Sequence, residues 1–347
     1  MSVSKAVKAL TLPARLVIAD PRATGTLLLA VLYFPDKLRS LLPERVYEVV
    51  TSPRFVRALK AFLGLGVART VNNKLSQYVV NNWKSNAKFI KSQEVVLITG
   101  GCSGIGLGMV EAFSRMGTKV VVMDLSPPKT SIPQGVHFYQ CDVTSSSQIS
   151  DAAAEIRKSV GDPTVLINNA GIGSSATILD GSEEIIRKTF EVNTIAHFLM
   201  VKEFLPAMIK KNKGHVVTIA SMASFIVHAG NVDYSCTKAS ALAFHEGLAS
   251  ELKARYNAPD VRTTVVHPSW IRTPLIQRLL DHPGFKDPVI EPEVVVSRVV
   301  DQVVSGQSGQ LFLPSAIGVF GYLRSWPSWL QNGFRNRIAH TLEEVKL

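Results

Sequence analysis

Tyr234 and Lys238 stand four residues apart in Asp233-Tyr-Ser-Cys-Thr-Lys238, and Ser221 precedes the tyrosine by thirteen. On a helix, a spacing of four places both side chains on one face. A free phenol has a pKa of about 10 and is a poor base at neutral pH. Ionising it near pH 7 takes roughly 4 kcal/mol, at about 1.36 kcal/mol per unit. An ammonium about 4 Å away, at an effective dielectric near 20, is worth up to about that much. The pair can therefore move a proton while a hydride moves elsewhere. The plainer alternative is a surface helix that carries the two residues by chance.

The upstream sequence argues against that alternative. Glu94-Val-Val-Leu-Ile-Thr-Gly100-Gly-Cys-Ser-Gly104-Ile-Gly106 reads as a short buried strand, a glycine turn and a helix through Arg115. Glycines let backbone approach a pyrophosphate, and a helix N-terminus attracts its charge. Gly100, Ser103, Gly104, Ile105 and Gly106 are the candidate phosphate cradle. The spacing is Gly-x-x-x-Gly-x-Gly, and an ordinary tight strand-to-helix turn is the alternative. A second strand, Lys119-Val-Val-Val-Met-Asp124, ends in an acid that can accept from both ribose hydroxyls and repel a 2′-phosphate. No basic residue lies in the glycine turn or directly after Asp124. NAD is therefore expected as cofactor, NADP less so.

These pieces, with Cys141-Asp142-Val143, Asn168-Asn-Ala-Gly171, Asn193, Ser221, Tyr234 and Lys238, resemble the short-chain dehydrogenase/reductase family in order and separation. The resemblance covers roughly residues 93–275. It implies that Asp142 and Val143 hold the adenine. Asn169, with the Ala170 and Gly171 backbone, would line the nicotinamide ribose. Asn193 would anchor a water in a proton relay, Ser221 would bond the substrate oxygen, Tyr234 would be the acid and base, and Lys238 would also grip the ribose. One motif departs from the pattern. The family usually has Pro-Gly after the sixth strand, where this chain has His267-Pro268-Ser269-Trp-Ile271-Arg-Thr273. The Ile271 backbone and the Thr273 hydroxyl still meet the carboxamide if the turn avoids positive φ. The tail, Gly309-Gln-Leu-Phe-Leu-Pro-Ser-Ala-Ile317 followed by Trp326, Trp329 and Leu330, is similar to the subgroup containing retinol dehydrogenase 10 and the 17β-hydroxysteroid dehydrogenases 11 and 13. That likeness implies lipophilic alcohols and ketones as substrates, and membrane association.

The chain has 347 residues and a formal net charge of +11. It reads as three parts: a basic, partly apolar extension (1–92), a dinucleotide-binding catalytic domain (93–305), and a tail (306–347) serving as substrate lid or membrane contact. Residues 1–94 hold 15 Lys and Arg against 5 Asp and Glu, a net of +10, whereas residues 95–313 net −1. A basic head interleaved with apolar runs suits an anionic membrane surface. Leu27-Leu-Leu-Ala-Val-Leu-Tyr-Phe34, closed by Pro35 and Asp36, falls short of the roughly 20 residues of a spanning helix. It is expected to lie in an interface or re-enter one; a helix packed on its own core or on a partner is the alternative. No recognised module accompanies the charge, so nucleic acid is not an expected partner. The expected location is membrane-associated and cytosol-facing, on endoplasmic reticulum or lipid droplet. Lys5, Lys8 and Arg15 ahead of Asp20 loosely resemble a presequence, which makes mitochondria the alternative. The cysteines, Cys102, Cys141 and Cys236, are odd in number and fit a reducing compartment. His215, His228, His245 and His267 are scattered, so no metal is expected.

Strand and helix alternate over 95–99, 104–115, 119–123, 147–159, 164–167, 182–210, 215–220, 233–255 and 262–266, which predicts an α/β doubly wound parallel sheet with the cofactor at its carboxyl edge. In the family the long helices often make a dimer interface, leaving homodimerisation open. The expected chemistry is reversible alcohol oxidation, as an alcohol dehydrogenase or carbonyl reductase. A membrane-associated, non-catalytic dinucleotide-binding scaffold or sensor is the competing class. Ala223–Ala229 and Pro274–Leu280 are largely apolar, which predicts a retinoid, steroid, fatty or polyketide-like ligand. Alternatively Phe225, Ile226, Leu275 and Leu279 simply pack a lid onto the core.

Overall fold

The computed structural model describes residues 20–342, apart from residues 86 and 130. Lys5, Lys8 and Arg15 lie outside the described residues. Contacts divide the chain between Val79 and Val80 into two compact units.

The first unit is helical: α1 (Pro21–Tyr33), α2 (Pro35–Leu41), α3 (Glu44–Thr51) and α4 (Pro53–Val80). Proline opens α1, α2 and α4, where its fixed φ suits a first turn and its missing N–H costs nothing. The Asp20 carboxylate accepts from the Arg22 N–H at 2.8 Å and caps α1. The apolar run thus lies in a helix of 13 residues. At about 1.5 Å per residue it is about 20 Å long, against about 30 Å of bilayer hydrocarbon. Small residues bring α1 close to α4: a Cβ on Gly25 would lie 3.6 Å from Leu63, and one on Gly66 would lie 3.2 Å from Pro21. Leu29, Leu32, Tyr33 and Phe34 are exposed.

The second unit is built on a seven-stranded parallel sheet of β1 (Val95–Thr99), β2 (Lys119–Asp124), β3 (Val136–Gln140), β4 (Val165–Asn168), β5 (Gly214–Ile219), β6 (Val261–Pro268) and β7 (Gly309–Leu313), in the order β3-β2-β1-β4-β5-β6-β7. The helices are α5 (Gly104–Arg115), α6 (Ser146–Ser159), α7 (Glu183–Phe190), α8 (Ala196–Lys211), α9 (Val232–Ala254), the short α10 (Gln277–Leu280), α11 (Pro292–Ser305) and α12 (Ser328–Ile338). Alternate strand residues feed opposite cores. Val96 and Ile98 pack with Met109 and Phe113 of α5 and the valines of α11, while Leu97 and Leu166 pack with Ile149 of α6, Phe204 of α8 and Phe244 of α9. With both faces covered, β1, β4, β5 and β6 are buried along their length, hence their runs of Val, Ile and Leu. Strand order reverses between β1 and β4. The loops leaving their carboxyl ends therefore diverge and open a crevice.

This is the doubly wound architecture that the alternation of elements implies. Five elements of this unit escaped that alternation: β3, α11, β7 and the helices α10 and α12. β3 is an edge strand, Val-His-Phe-Tyr-Gln, only partly buried and with little apolar signature. α11 is so rich in β-branched valine that its sequence looks strand-like; packing on α5 overrides propensity, and a Cβ on Gly108 would lie 2.7 Å from Val296. β7 extends the sheet past residue 305 by pairing with β6. α7 and α8 join through a π-helical turn, Glu191–Ile195. Glu183–Lys211 is the one helix among the described residues that is long and apolar enough to cross a membrane, and half of its most apolar stretch is buried inside the protein. It covers the sheet as a core helix.

Candidate active site

Seen from the carboxyl edge of the sheet, the loops after β1, β4, β5 and β6 surround a cleft of about 1120 Å³. The glycine turn forms one end. Gly100 has φ +65°, in the left-handed region, and a Cβ there would lie 2.9 Å from Ala170 Cα. A Cβ on Gly106 would lie 2.1 Å from the Gly100 carbonyl oxygen. Ser103 precedes α5 without a side-chain capping bond, so the first N–H groups of the helix keep no side-chain partner at that position. Ser103, Gly104, Ile105 and Gly106 all line the cleft. Bare backbone, an uncapped helix start and no side chain in the way fit a dinucleotide pyrophosphate.

The other predicted cofactor residues surround this turn. Asp124 accepts from Cys102 N–H at 2.9 Å with one oxygen and from Ser126 N–H at 3.1 Å with the other. A carboxylate has about four acceptor positions, so lone pairs remain for ribose hydroxyls. Burial, with Asp124 beside it, pushes the Cys102 thiol up to about 11; Cys141 is likewise pushed up to about 11, by burial and Asp142. Both are neutral small residues, not nucleophiles. Asp142 and Val143 line the cleft. Burial raises the Asp142 carboxyl, but bonds from Thr144 and the nearby Lys188 ammonium outweigh it and hold the pKa below the usual range. Asn169 uses its amide on the turn itself, donating to the Thr99 and Gly100 carbonyls at 2.8 and 3.0 Å. Thr99 Oγ1 in return accepts from the Asn169 and Ala170 N–H groups, each at 3.0 Å. Asn169 thus fastens the β4 loop to the glycine turn, while Ala170 and Gly171 line the cleft. Ile271 is tied to Ile290 by a parallel bridge, and Thr273 faces the turn, 3.5 Å from where a Gly104 Cβ would sit. Ser269 is not among the residues with positive φ, so serine fills the usual glycine place without strain.

The residues expected to move a proton converge beside this. Tyr234 and Lys238 lie on α9, with the Lys238 ammonium 5.4 Å from the centre of the tyrosine ring. Lys238 Nζ donates to the Ile219 carbonyl at 3.0 Å. Ser221 follows β5 in extended backbone; its hydroxyl donates to the Pro268 carbonyl at 3.4 Å and accepts from Ala223 N–H at 3.1 Å. Asn193 sits in the π-helical turn, fully buried. Its amide donates to the Ile172 carbonyl at 2.8 Å and to Thr237 Oγ1 at 3.1 Å, and its oxygen accepts from Ile172 N–H at 2.9 Å. A Cβ on Gly171 would lie 3.3 Å from that oxygen and 3.6 Å from Lys238 Nζ, so the two face each other across a bare glycine. The Asn193 side chain is therefore largely committed to protein partners.

The electrostatics differ from the expectation of a phenol acidified by its lysine. Burial pushes Tyr234 up to about 12, with a hydrogen bond from Ser221 offsetting part of the rise, and burial pushes Lys238 down to about 8. Taking either charge out of water is what moves both values, and the ammonium spends a hydrogen bond on Ile219. The tyrosine thus stands as a protonated acid.

Beyond Tyr234 the cleft turns apolar. Ile226, Leu275 and Leu279 line it, but Phe225 does not: it is core, with its ring 4.9 Å from His267. The far wall comes from the tail, through Ile317, Phe320, Phe334 and Ile338, with Phe320 and Phe334 stacked at 4.8 Å. Trp329 of the same tail points out, 74% exposed. The alternation of strands and helices gave no sign of this wall, because its residues belong to short helices after β7.

Residues 94–283 match the short chain dehydrogenase family. The chain belongs to that family. It is 44% identical over 194 residues to dehydrogenase RED2 of Cochliobolus heterostrophus, covering 55% of this chain and 73% of the relative. Mouse epidermal retinol dehydrogenase 2 is 32% identical over 78% of this chain and 88% of its own length. Rat estradiol 17-beta-dehydrogenase 11 is 35% identical over 73% and 86%. Among solved structures, a short chain dehydrogenase of Burkholderia cenocepacia in complex with NADP superposes with a TM-score of 0.56 at 25% identity, covering 65% of this chain and 89% of that one. This short chain dehydrogenase is an NAD(P)-dependent oxidoreductase of the group that includes the retinol and estradiol 17-beta relatives.

Proposed function

We propose that this short chain dehydrogenase interconverts a lipophilic alcohol and its carbonyl, with NAD as the preferred dinucleotide. A dinucleotide held by the glycine turn would supply or take up the hydride. Tyr234 gives its phenolic proton to the carbonyl oxygen in reduction and recovers it in oxidation. Ser221 donates to that oxygen and steadies its developing charge. Lys238 would grip the ribose, and Asn193 holds the loop at Ile172. The carrying observation is that Ile317, Phe320, Phe334 and Ile338 line the same cleft as Ser221, Tyr234 and Lys238. Two of the relatives are named for retinol and estradiol, both lipophilic alcohols. Asp124 at the end of β2 supports NAD. The test is a panel of retinoids, steroids, fatty alcohols and their carbonyl forms with both dinucleotides, followed at the nicotinamide band. Turnover of a lipophile with NAD, lost in Tyr234→Phe, is expected; turnover of small polar alcohols alone would overturn it.

We further propose that the basic N-terminal extension meets a membrane surface, on the cytosolic side of endoplasmic reticulum or lipid droplets. Its exposed Leu29, Leu32, Tyr33 and Phe34 support this. A groove of about 530 Å³ between α8 and α9, edged by the half-exposed Phe198, supports pairing with a second copy.

A further inference from the structure

His267 is the next-to-last residue of β6, just before Pro268, and is fully buried. Its Nδ1 lies 3.1 Å from the Ser221 carbonyl oxygen, and its Nε2 lies 3.0 Å from Gln310 Nε2 on β7. A carbonyl oxygen only accepts and an amide nitrogen only donates. One tautomer satisfies both: Nδ1–H donating to Ser221, and the Nε2 lone pair accepting from Gln310. The ring cannot turn away, because Phe312 stacks on it at 5.3 Å and Phe225 meets it edge-on at 4.9 Å. Burial pushes its pKa down to about 4, against the bond to Ser221, which raises it. The ring is thus neutral at neutral pH, as one tautomer requires.

Ser221 is held from several sides. Its carbonyl accepts from Ser224 N–H at 3.0 Å as well as from His267, and its hydroxyl bonds Pro268 O and Ala223 N–H. His267 and Pro268 are adjacent, so the end of β6 grips both the backbone and the hydroxyl of one serine. β7, through Gln310 and Phe312, grips the histidine in turn.

We infer that His267 is a positioning residue for Ser221, fixing the serine backbone so that its hydroxyl can turn from its long bond to Pro268 onto Tyr234 and the substrate oxygen. Pairing of β7 with β6 thereby bears on proton transfer, though β7 lines no part of the dinucleotide cradle. The inference rests on reading Ser221 as the residue that binds the reacting oxygen.

The experiment compares His267→Phe with His267→Asn in the full chain, using the best substrate of the panel. Phenylalanine keeps the ring stack and removes both hydrogen bonds. Asparagine can place an amide N–H near the Nδ1 position. His267→Phe is expected to lower kcat about tenfold with NADH binding and substrate KM little changed, and His267→Asn to restore kcat to within about threefold. A His267→Phe enzyme with wild-type kcat, or an equal loss in both variants, overturns the inference. A readout independent of variant folding is the nitrogen NMR of His267 in the wild type. A proton on Nδ1 and none on Nε2 is expected, and the opposite tautomer overturns it. Ser221→Ala and Tyr234→Phe run alongside: turnover retained in both sinks the reading of the site, whereas turnover lost in both but kept in His267→Phe sinks only the positioning role.

Discussion

Lys238 Nζ donates to the Ile219 carbonyl at 3.0 Å while lying 5.4 Å from the centre of the Tyr234 ring. The last residue of β5 therefore sets where the ammonium sits under the tyrosine. Burial holds Lys238 near about 8 and Tyr234 near about 12. For carbonyl reduction the tyrosine must be protonated, and it is throughout the working range. The group that titrates first is the lysine. kcat/KM for reduction should therefore be level below about pH 8 and fall above it as the ammonium is lost. In Lys238→Arg the cation persists at all accessible pH, so the alkaline limb should move out of range even if the rate is lower. A limb at the same pH in that variant would assign it to another group.

Gly106→Ala should cripple dinucleotide binding. Its Cβ would stand 2.1 Å from the Gly100 carbonyl oxygen and 2.7 Å from Asn169 Nδ2, both in the framework of the turn. The turn must open, which costs about 1–3 kcal/mol as an overpacked site. Titrating NADH by fluorescence should show an affinity loss of about tenfold or more. Unchanged affinity would mean that the turn is soft.

Asp124→Asn removes a charge but keeps an acceptor for Cys102 or Ser126. Losing the repulsion toward a 2′-phosphate should raise the NADP-to-NAD ratio of kcat/KM by about tenfold, equal to about 1.4 kcal/mol. A wild-type enzyme that already prefers NADP would contradict the assignment of Asp124.

The site was legible because its chemistry sits on short local motifs. The glycine turn, the strand-end acid and the Tyr234–Lys238 spacing each state their geometry within a few residues. What joins them is not local. Asn169 bonds back to Thr99 and Gly100, 70 and 69 residues away, and His267 reaches Ser221 across 46. No sequence period encodes such pairs. The same holds for fold: buried strands announced themselves by apolar runs, but α11 hid behind its valines and β7 inside an apolar tail. The upward push of burial on Tyr234 was hidden for the same reason. Spacing reports which residues share a face, whereas desolvation depends on everything packed around them.

Acid should weaken the fold before it titrates the site. Burial holds His197 and His215 down to about 3, and His245 and His267 down to about 4. In the unfolded chain each takes a proton near its ordinary pKa of about 6.5. A depressed folded pKa gives stability that is fully present above about 6.5 and is lost as pH falls toward 4 and then 3. At pH 5 a fully buried neutral histidine costs the fold about 2 kcal/mol, from about 1.36 kcal/mol per unit. Thermal midpoints measured from pH 7.5 to 5 should therefore fall steadily. A flat profile would mean that these rings are hydrated or already protonated.

The exposed apolar end of α1 predicts how the chain meets lipid. Leu29, Leu32, Tyr33 and Phe34 are 56, 46, 70 and 60% exposed. The helix is too short to span, so its contribution must come from lying in the interface, where buried apolar area and basic charge add. Neighbouring Lys37 and Arg39 supply cations next to that end. The full chain should float with vesicles containing anionic phosphatidylserine and less with neutral phosphatidylcholine vesicles, at about 1 kcal/mol per basic residue near the surface. Leu32→Glu with Tyr33→Glu should cut flotation several-fold while leaving NADH binding unchanged, since neither residue lines the cleft. Salt should weaken binding of the wild type to anionic vesicles and have little effect on the residual binding of the variant. If the double variant floats as well as the wild type, the lipid contact of this chain lies elsewhere than on α1.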